Sequence, residues 1–156
     1  MKKILVLSDT HGSKALVRRI LMDESDSDAL IFLGDGEDDL SVVKSMCPRM
    51  PIYAVRGNCD FCSNLPLDGL IPIEGVLFYY THGHIYSVKY GLDDLEEAVH
   101  SRGADVGLFG HTHRPILKKC GDVTLFNPGS AGHAYSGNDC YGVITLSGGG
   151  TVEFEH

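Results

Sequence analysis

Five times along this chain a short apolar run stops abruptly in a cluster built from glycine with histidine, aspartate or asparagine. Ile4-Leu5-Val6-Leu7 gives way to Ser8-Asp9-Thr10-His11-Gly12, and the run from Ala29 to Leu33 gives way to Gly34-Asp35-Gly36. Ile52 to Val55 leads into Arg56-Gly57-Asn58-Cys59-Asp60, the run ending at Tyr80 into Thr81-His82-Gly83-His84, and the run ending at Phe109 into Gly110-His111-Thr112-His113. Short apolar runs bounded by such turn residues predict buried strands. Between the first three, Ser13 to Met22 puts Leu16, Val17, Ile20 and Leu21 on one helical face, and a second short helix is expected over 38–44. A β-α-β-α-β order predicts parallel strands joined by right-handed crossovers, with ligands gathering just beyond the strands' carboxyl ends. Each polar cluster falls at such an end.

Beyond residue 70 the pattern changes. Ile71 to Ile73 and Val76 to Tyr80 flank Glu74-Gly75, which predicts a tight hairpin. A helix is expected over 92–101, a strand over 106–109, and further strands over 116–119, 123–126, 141–146 and 151–154, the last two joined by a turn at Gly148-Gly149-Gly150. Two packed sheets with helices outside bury all of this most simply. At 156 residues the chain suits one domain, taken as 1–156, and can bury a core without disulfides or a structural metal. A metal here would serve chemistry.

Composition narrows the setting. The first apolar run is too short for a signal peptide or a membrane span, and five cysteines, at 47, 59, 62, 120 and 140, lack framework spacing. Both point to a cytoplasmic protein with no membrane association. A net charge of −8 argues against a broad grip on nucleic-acid backbone, but not against a small phosphate substrate, because a bound dication supplies local positive charge. Homo-oligomerisation stays open.

Taken singly, the clusters have ordinary explanations. Asp9-Thr10-His11 reads equally as a helix cap and a surface histidine, Gly34-Asp35 as a turn, and Gly57-Asn58 as a loop dipeptide. All five in order, each at a strand end, point instead to a two-metal site. Carboxylate, amide oxygen and imidazole together suit Mn, Fe, Zn, Ni or Co, and the neighbouring glycines would let the backbone turn sharply beside the ions. Two such ions roughly 3.5–4 Å apart clamp the attacking and leaving oxygens of a phosphoryl group and lower the pKa of a bridging water.

With D-x-H, G-D, G-N, H-G-H and G-H-x-H in this order between Asp9 and His113, the sequence resembles the calcineurin-like metallophosphoesterase superfamily, and within it the small single-domain phosphodiesterases of bacteria and archaea. The resemblance implies an α/β fold, a four-layer αββα sandwich of two mixed sheets with flanking helices. It implies that Asp9, His11 and His113 bind one divalent transition-metal ion, Asn58, His82 and His111 a second, with Asp35 bridging, and manganese the first choice of metal. It further implies a metal-bridging hydroxide attacking a small phosphodiester in line, with Asn58 also orienting the phosphate.

Several positions depart from that pattern or stay open. Many members carry His after the motif Asn, as proton donor to the leaving group; here Cys59 stands there, a weak substitute for imidazole. His84 either partly replaces that imidazole or merely hydrogen-bonds to backbone. Arg56 either pairs with substrate phosphate or with an acidic neighbour. Cys59 and Cys62 form C-x-x-C, but inside a loop, where a redox dithiol is not expected. Asn127-Pro128-Gly129-Ser130 matches a loop near the active-site mouth of the subgroup, yet the Pro-Arg pair that often follows is replaced by 131–135, where His133 lines either the pocket or the surface. The alternative function is a protein-interaction scaffold of the same fold, as in the cargo-sorting subunit of the retromer coat. The competent ligand type at all seven metal positions favours the enzyme.

Overall fold

Successive side chains of a strand face opposite ways, and the central strands of this chain are apolar on both faces, so they must be covered twice. The computed structural model describes residues 1–132 and 138–156 and shows how that is met. In β1 (Lys2–Leu7), Ile4 and Val6 point into one core while Leu5 and Leu7 point into another. The first core lies between two sheets and holds Ile31, Phe78, Leu108, Phe126 and Ile144. The second lies under two helices, α1 (Lys14–Asp23) and α2 (Leu40–Met46), whose Val17, Ile20, Leu21 and Val43 cover Leu5, Leu7, Leu30 and Phe32. A third lies under α3 (Asp93–Ser101), where Leu95 and Val99 meet Tyr79, Val123 and Leu125. These three cores define the layers α, β, β, α of the expected sandwich.

One sheet joins β1 to β2 (Ala29–Phe32) and β3 (Ile52–Ala54) in parallel. On its other side β9 (Gly142–Ser147) and β10 (Thr151–Glu155) add antiparallel, giving the order β10-β9-β1-β2-β3. The second sheet comprises β4 (Asp68–Ile73), β5 (Val76–Thr81), β6 (Val106–Leu108), β7 (Pro115–Cys120) and β8 (Val123–Pro128), in the order β4-β5-β6-β8-β7. Within it β5, β6 and β8 run parallel. No helix is long and apolar enough to cross a membrane among the described residues.

The expected hairpin turn is present, with Glu74 and Gly75 both at positive φ (50° and 81°), as a two-residue turn matching strand twist requires. β4 begins three residues before the expected Ile71, because pairing with β5 carries the ladder through polar Asp68 and side-chain-free Gly69, where no apolar pattern signals it. The expected helix over 38–44 is divided: Glu37–Asp39 forms a 3-10 turn and α2 follows it.

Phe126 is fully buried between the sheets, its ring centroid 5.2 Å from that of Phe154. Phe126→Ala is expected to destabilise the protein by about 3–5 kcal/mol in urea unfolding. A loss below about 1 kcal/mol would mean that the two sheets collapse onto the cavity.

Candidate metal centre

The strands that end in polar clusters bring those clusters to one rim of the sandwich, and backbone hydrogen bonds stitch them edge to edge. The Asp9 N–H donates to the Gly34 carbonyl (2.9 Å), that of His11 to Asp35 (3.0 Å), and that of Gly110 to His82 (2.9 Å). Asp9 (φ 54°), His11 (45°), Asp35 (60°), His111 (70°) and His113 (60°) all occupy the left-handed region. Non-glycine residues hold that conformation at a cost of order 1–3 kcal/mol each, and do so only where surrounding structure over-determines it. The sharp turns expected of the neighbouring glycines are therefore made in large part by the donor residues themselves.

Gly57 and Gly110 serve a different need. Neither has positive φ; instead a Cβ on Gly57 would lie 2.1 Å from Asp35 Oδ1, and one on Gly110 2.0 Å from Ser8 Oγ. Two loops abut there without space for a methyl group.

Two donor sets result. In one, His113 Nε2 lies 3.2 Å and His11 Nε2 3.7 Å from Asp9 Oδ1, and the two imidazole nitrogens are 3.3 Å apart. In the other, His82 Nε2 lies 3.2 Å from Asp35 Oδ2, 3.1 Å from His111 Nδ1 and 3.0 Å from Asn58 Oδ1. Donors about 2.0–2.1 Å from a shared ion stand roughly 2.8–3.4 Å apart at octahedral or tetrahedral angles, so this spacing fits two cations. Asp35 Oδ2 is also 3.8 Å from His11 Nε2 and so faces both sets.

The orientation of each donor has a cause. Asp9 commits Oδ2 to the Ser8 hydroxyl and the His111 N–H (3.0 Å), leaving Oδ1, fully buried and without a hydrogen-bond partner, facing the imidazoles. Such an orphaned acceptor is costly unless something cationic meets it. Asp35 likewise commits Oδ1 to the Cys59 N–H (2.8 Å) and presents Oδ2. The His82 Nδ1–H donates to the Leu33 carbonyl (2.6 Å), which leaves Nε2 as the lone-pair nitrogen. The residues present thus fit a dinuclear site for divalent metals.

Electrostatics agree. Burial works to raise the pKa of Asp9, but the imidazoles of His11 and His113, the nearby His82 and the Ser8 hydroxyl outweigh it and hold the carboxyl below its usual range. Burial pushes His111 down to about 4, helped by His82 and Lys89, so its ring is a neutral donor. His82 is disfavoured as a cation by burial, yet the carboxylates of Asp35 and Asp9 raise its pKa.

Of the remaining expected residues, His84 sits near the second set, its ring centroid 5.4 Å from that of His82 and 6.2 Å from that of His111. Its Nδ1 is buried and lacks a hydrogen-bond partner, so no backbone bond holds that nitrogen. Burial, then the charge near His82, lowers its pKa. Cys59 is exposed at the rim, its thiol pushed up by burial and by the carboxylate of Asp35. Arg56 donates to the Ser63 carbonyl at 3.4 Å, and no ion pair of Arg56 is found among the described residues. Cys59 and Cys62 are both free thiols. His133 lies outside the described residues.

Sequence reasoning missed the residues that brace the donors. The Asp60 carboxylate accepts four backbone N–H groups, from Gly36 (2.9 Å), Glu37 (3.0 Å), Asp35 (2.8 Å) and Gly57 (2.8 Å), tying the β2 and β3 loops together. Asn127 holds Gly110 O and Thr112 Oγ1 (3.2 and 3.1 Å), and the Ser130 hydroxyl donates to the Asp9 carbonyl (2.8 Å). Asp60 was signalled only by its place in the third cluster, and Asn127 and Ser130 only by the match of their segment to a loop near the active-site mouth.

Asp60→Asn keeps the shape but turns an amide NH2 toward two of the four N–H groups. The expected loss is about 2–4 kcal/mol of stability in urea unfolding, with Mn2+ affinity by calorimetry falling about 10–100-fold. Unchanged metal affinity would sever Asp60 from the site. Conversely, Mn2+ at a hundred times Kd should stabilise the native protein by about 2.7 kcal/mol per site, reversed by a chelator.

The probable metallophosphoesterase YsnB of Bacillus subtilis is 31% identical over 129 residues, covering 81% of this chain and 73% of that protein. The phosphodiesterase YfcE of Escherichia coli K12 is 29% identical over 169 residues, covering 92% and 88%. A crystal structure of Vps29 complexed with Zn2+ from Entamoeba histolytica superposes with a TM-score of 0.77, covering 98% and 97% of the two chains at 18% identity, a likeness of fold alone. The model of the calcineurin-like phosphoesterase superfamily domain matches residues 1–149, and the chain belongs to that superfamily.

Proposed function

We propose that this protein is a metal-dependent phosphodiesterase that hydrolyses small phosphodiesters, its 156 residues forming a single catalytic domain. The observation that carries this reading is the pair of donor sets sharing the free oxygen of Asp35, 3.2 Å from His82 Nε2 and 3.8 Å from His11 Nε2. Asp9, His11 and His113 would hold one ion and Asn58, His82 and His111 the other, with Asp35 between. Two divalent ions there, with manganese the first candidate, supply an activated water and charge to hold the phosphate oxygens. The name of the relative YfcE tilts the substrate toward diesters.

The chain's own residues divide the rest of the work. Asn58, exposed at the rim with its Oδ1 toward His82, orients the phosphate. Cys59 keeps its proton, and a thiol raised in pKa is a poor acid for an alkoxide. His84, its pKa lowered by burial, acts as a neutral N–H donor to the phosphate or leaving oxygen. Arg56 stands close enough to lower the His84 pKa and is assigned to the substrate's negative charge. The net charge of −8 favours a small substrate over a long polyanion, and the free thiols suit a reducing, cytoplasmic setting.

Metal-stripped protein reloaded with Mn2+, Ni2+, Zn2+ or Mg2+ is expected to hydrolyse aryl phosphodiesters in preference to monoesters. Asp35→Asn is expected to lower turnover by more than about a hundredfold, as loss of a shared ligand would. Two bound ions with no hydrolysis of either ester class would instead favour the scaffold. Across a series of leaving groups, His84→Ala should slow poor ones about 10–100-fold more than good ones. Equal slowing would remove His84 as the hydrogen-bond donor to the leaving oxygen.

A further inference from the structure

A cavity of about 400 Å3 opens beside the donor sets, bounded on that side by His11, Asp35 and Cys59. It is also lined by Glu37, Asp38, Asp39 and Phe61, and among the described residues neither lysine nor arginine lines it. An anion-binding centre flanked by carboxylates is a contradiction for a substrate that is anionic throughout. It is resolved if the far end of the substrate is positive.

The residues support that reading individually. Asp39 is 1% exposed. Its Oδ2 accepts the Thr10 hydroxyl and the Gly12 N–H, while Oδ1 is buried with no hydrogen-bond partner. No ion pair of Glu37, Asp38 or Asp39 is found among the described residues. Asp60 differs: it lines the cavity, but its carboxylate is consumed by four backbone N–H groups. Phe61 is 85% exposed at the rim, an aromatic face beside unpaired carboxylates. Carboxylates with an aromatic ring are the arrangement that binds ammonium and quaternary ammonium groups, through charge and through the ring quadrupole.

We infer that this cavity receives a positively charged alcohol moiety, so that the preferred substrates are zwitterionic phosphodiesters bearing an aminoethyl or trimethylammonioethyl group. The inference rests on the phosphodiesterase reading for its reaction. Water adds across one P–O bond: its oxygen joins phosphorus and the departing alkoxide takes up a proton, leaving a phosphomonoester and an alcohol. The cation binds through Glu37 and Asp38, with the buried Asp39 carboxylate beside them and Phe61 closing over it.

The test uses two 4-nitrophenyl diesters of matched shape, one of choline and one of 3,3-dimethylbutanol, in which carbon replaces the quaternary nitrogen. Mn2+-loaded protein should favour the choline ester in kcat/KM by about tenfold, through KM, with the ratio shrinking as salt is added. Glu37→Gln with Asp38→Asn, and separately Phe61→Ala, should each bring that ratio toward one. A wild-type ratio of one or less, or a ratio that the variants leave unchanged, overturns the inference. So does a third Mn2+ ion per chain that the Glu37/Asp38 variant abolishes, since the carboxylates would then be metal ligands. Should neither ester turn over, the phosphodiesterase reading fails separately. Calorimetric titration with phosphocholine and with 3,3-dimethylbutyl phosphate then decides the cation site: about tenfold tighter phosphocholine supports it, and equal affinities overturn it.

Discussion

The two sheets meet at the metal rim through hydrogen bonds that cross between them, and the donor constellation exists only because those bonds are made. The His82 ring, from the end of β5, donates to the Leu33 carbonyl beyond β2. The His111 N–H, beyond β6, donates to the Asp9 carboxylate beyond β1, and the Ser130 hydroxyl, after β8, donates to the Asp9 carbonyl. Each donor set draws from both sheets: Asp9 and His11 from one with His113 from the other, and Asp35 with His82 and His111. A cation in either set would act as a further clamp across the sandwich, which couples metal binding to the packing of the core between the sheets.

Concentrating two carboxylates and four imidazoles in one place is unfavourable in itself. Burial penalises the charge on Asp9, Asp35 and His82, and five donors sit at strained backbone angles. The offsetting interactions are local and backbone-directed. Asp60 gathers four N–H groups, and Asn127 fixes the Gly110 and Thr112 loop. Because each carboxylate has one oxygen anchored to protein, only the second is left to face a cation. Preorganisation of this kind is what a metal site needs from the residues behind its ligands.

The same rim is uneven in charge. On the side of His84 and Arg56 the available groups are neutral or positive and suit phosphate. On the side of Glu37, Asp38 and Asp39 they are negative and carry no basic partner among the described residues. Part of the chain's acidity, which at the level of composition merely argued against nucleic acid, lies at this cavity.

The alternation of apolar runs with glycine-bounded polar clusters was enough, from sequence alone, to locate nearly every strand and helix. Short apolar runs bounded by glycine-rich clusters are buried as strands, and periodicity is a local property. The donor residues were legible for a related reason: histidine and aspartate at strand ends have little packing value, so their recurrence carried meaning. The partners of residues that bond across long sequence distances were not legible. Asp60 lies 24 residues from the Gly36 N–H it accepts, Asp39 lies 29 from Thr10, and Asn127 lies 17 from Gly110. The role of Gly57 and Gly110, close approach rather than turning, was also hidden, because it depends on which loop lies opposite. Pairing of β9 and β10 onto β1, and the acidic cavity beside the donors, were likewise decided by the tertiary structure. Sequence sets which groups stand at the end of each strand; only the packing of one sheet on the other sets which of them meet.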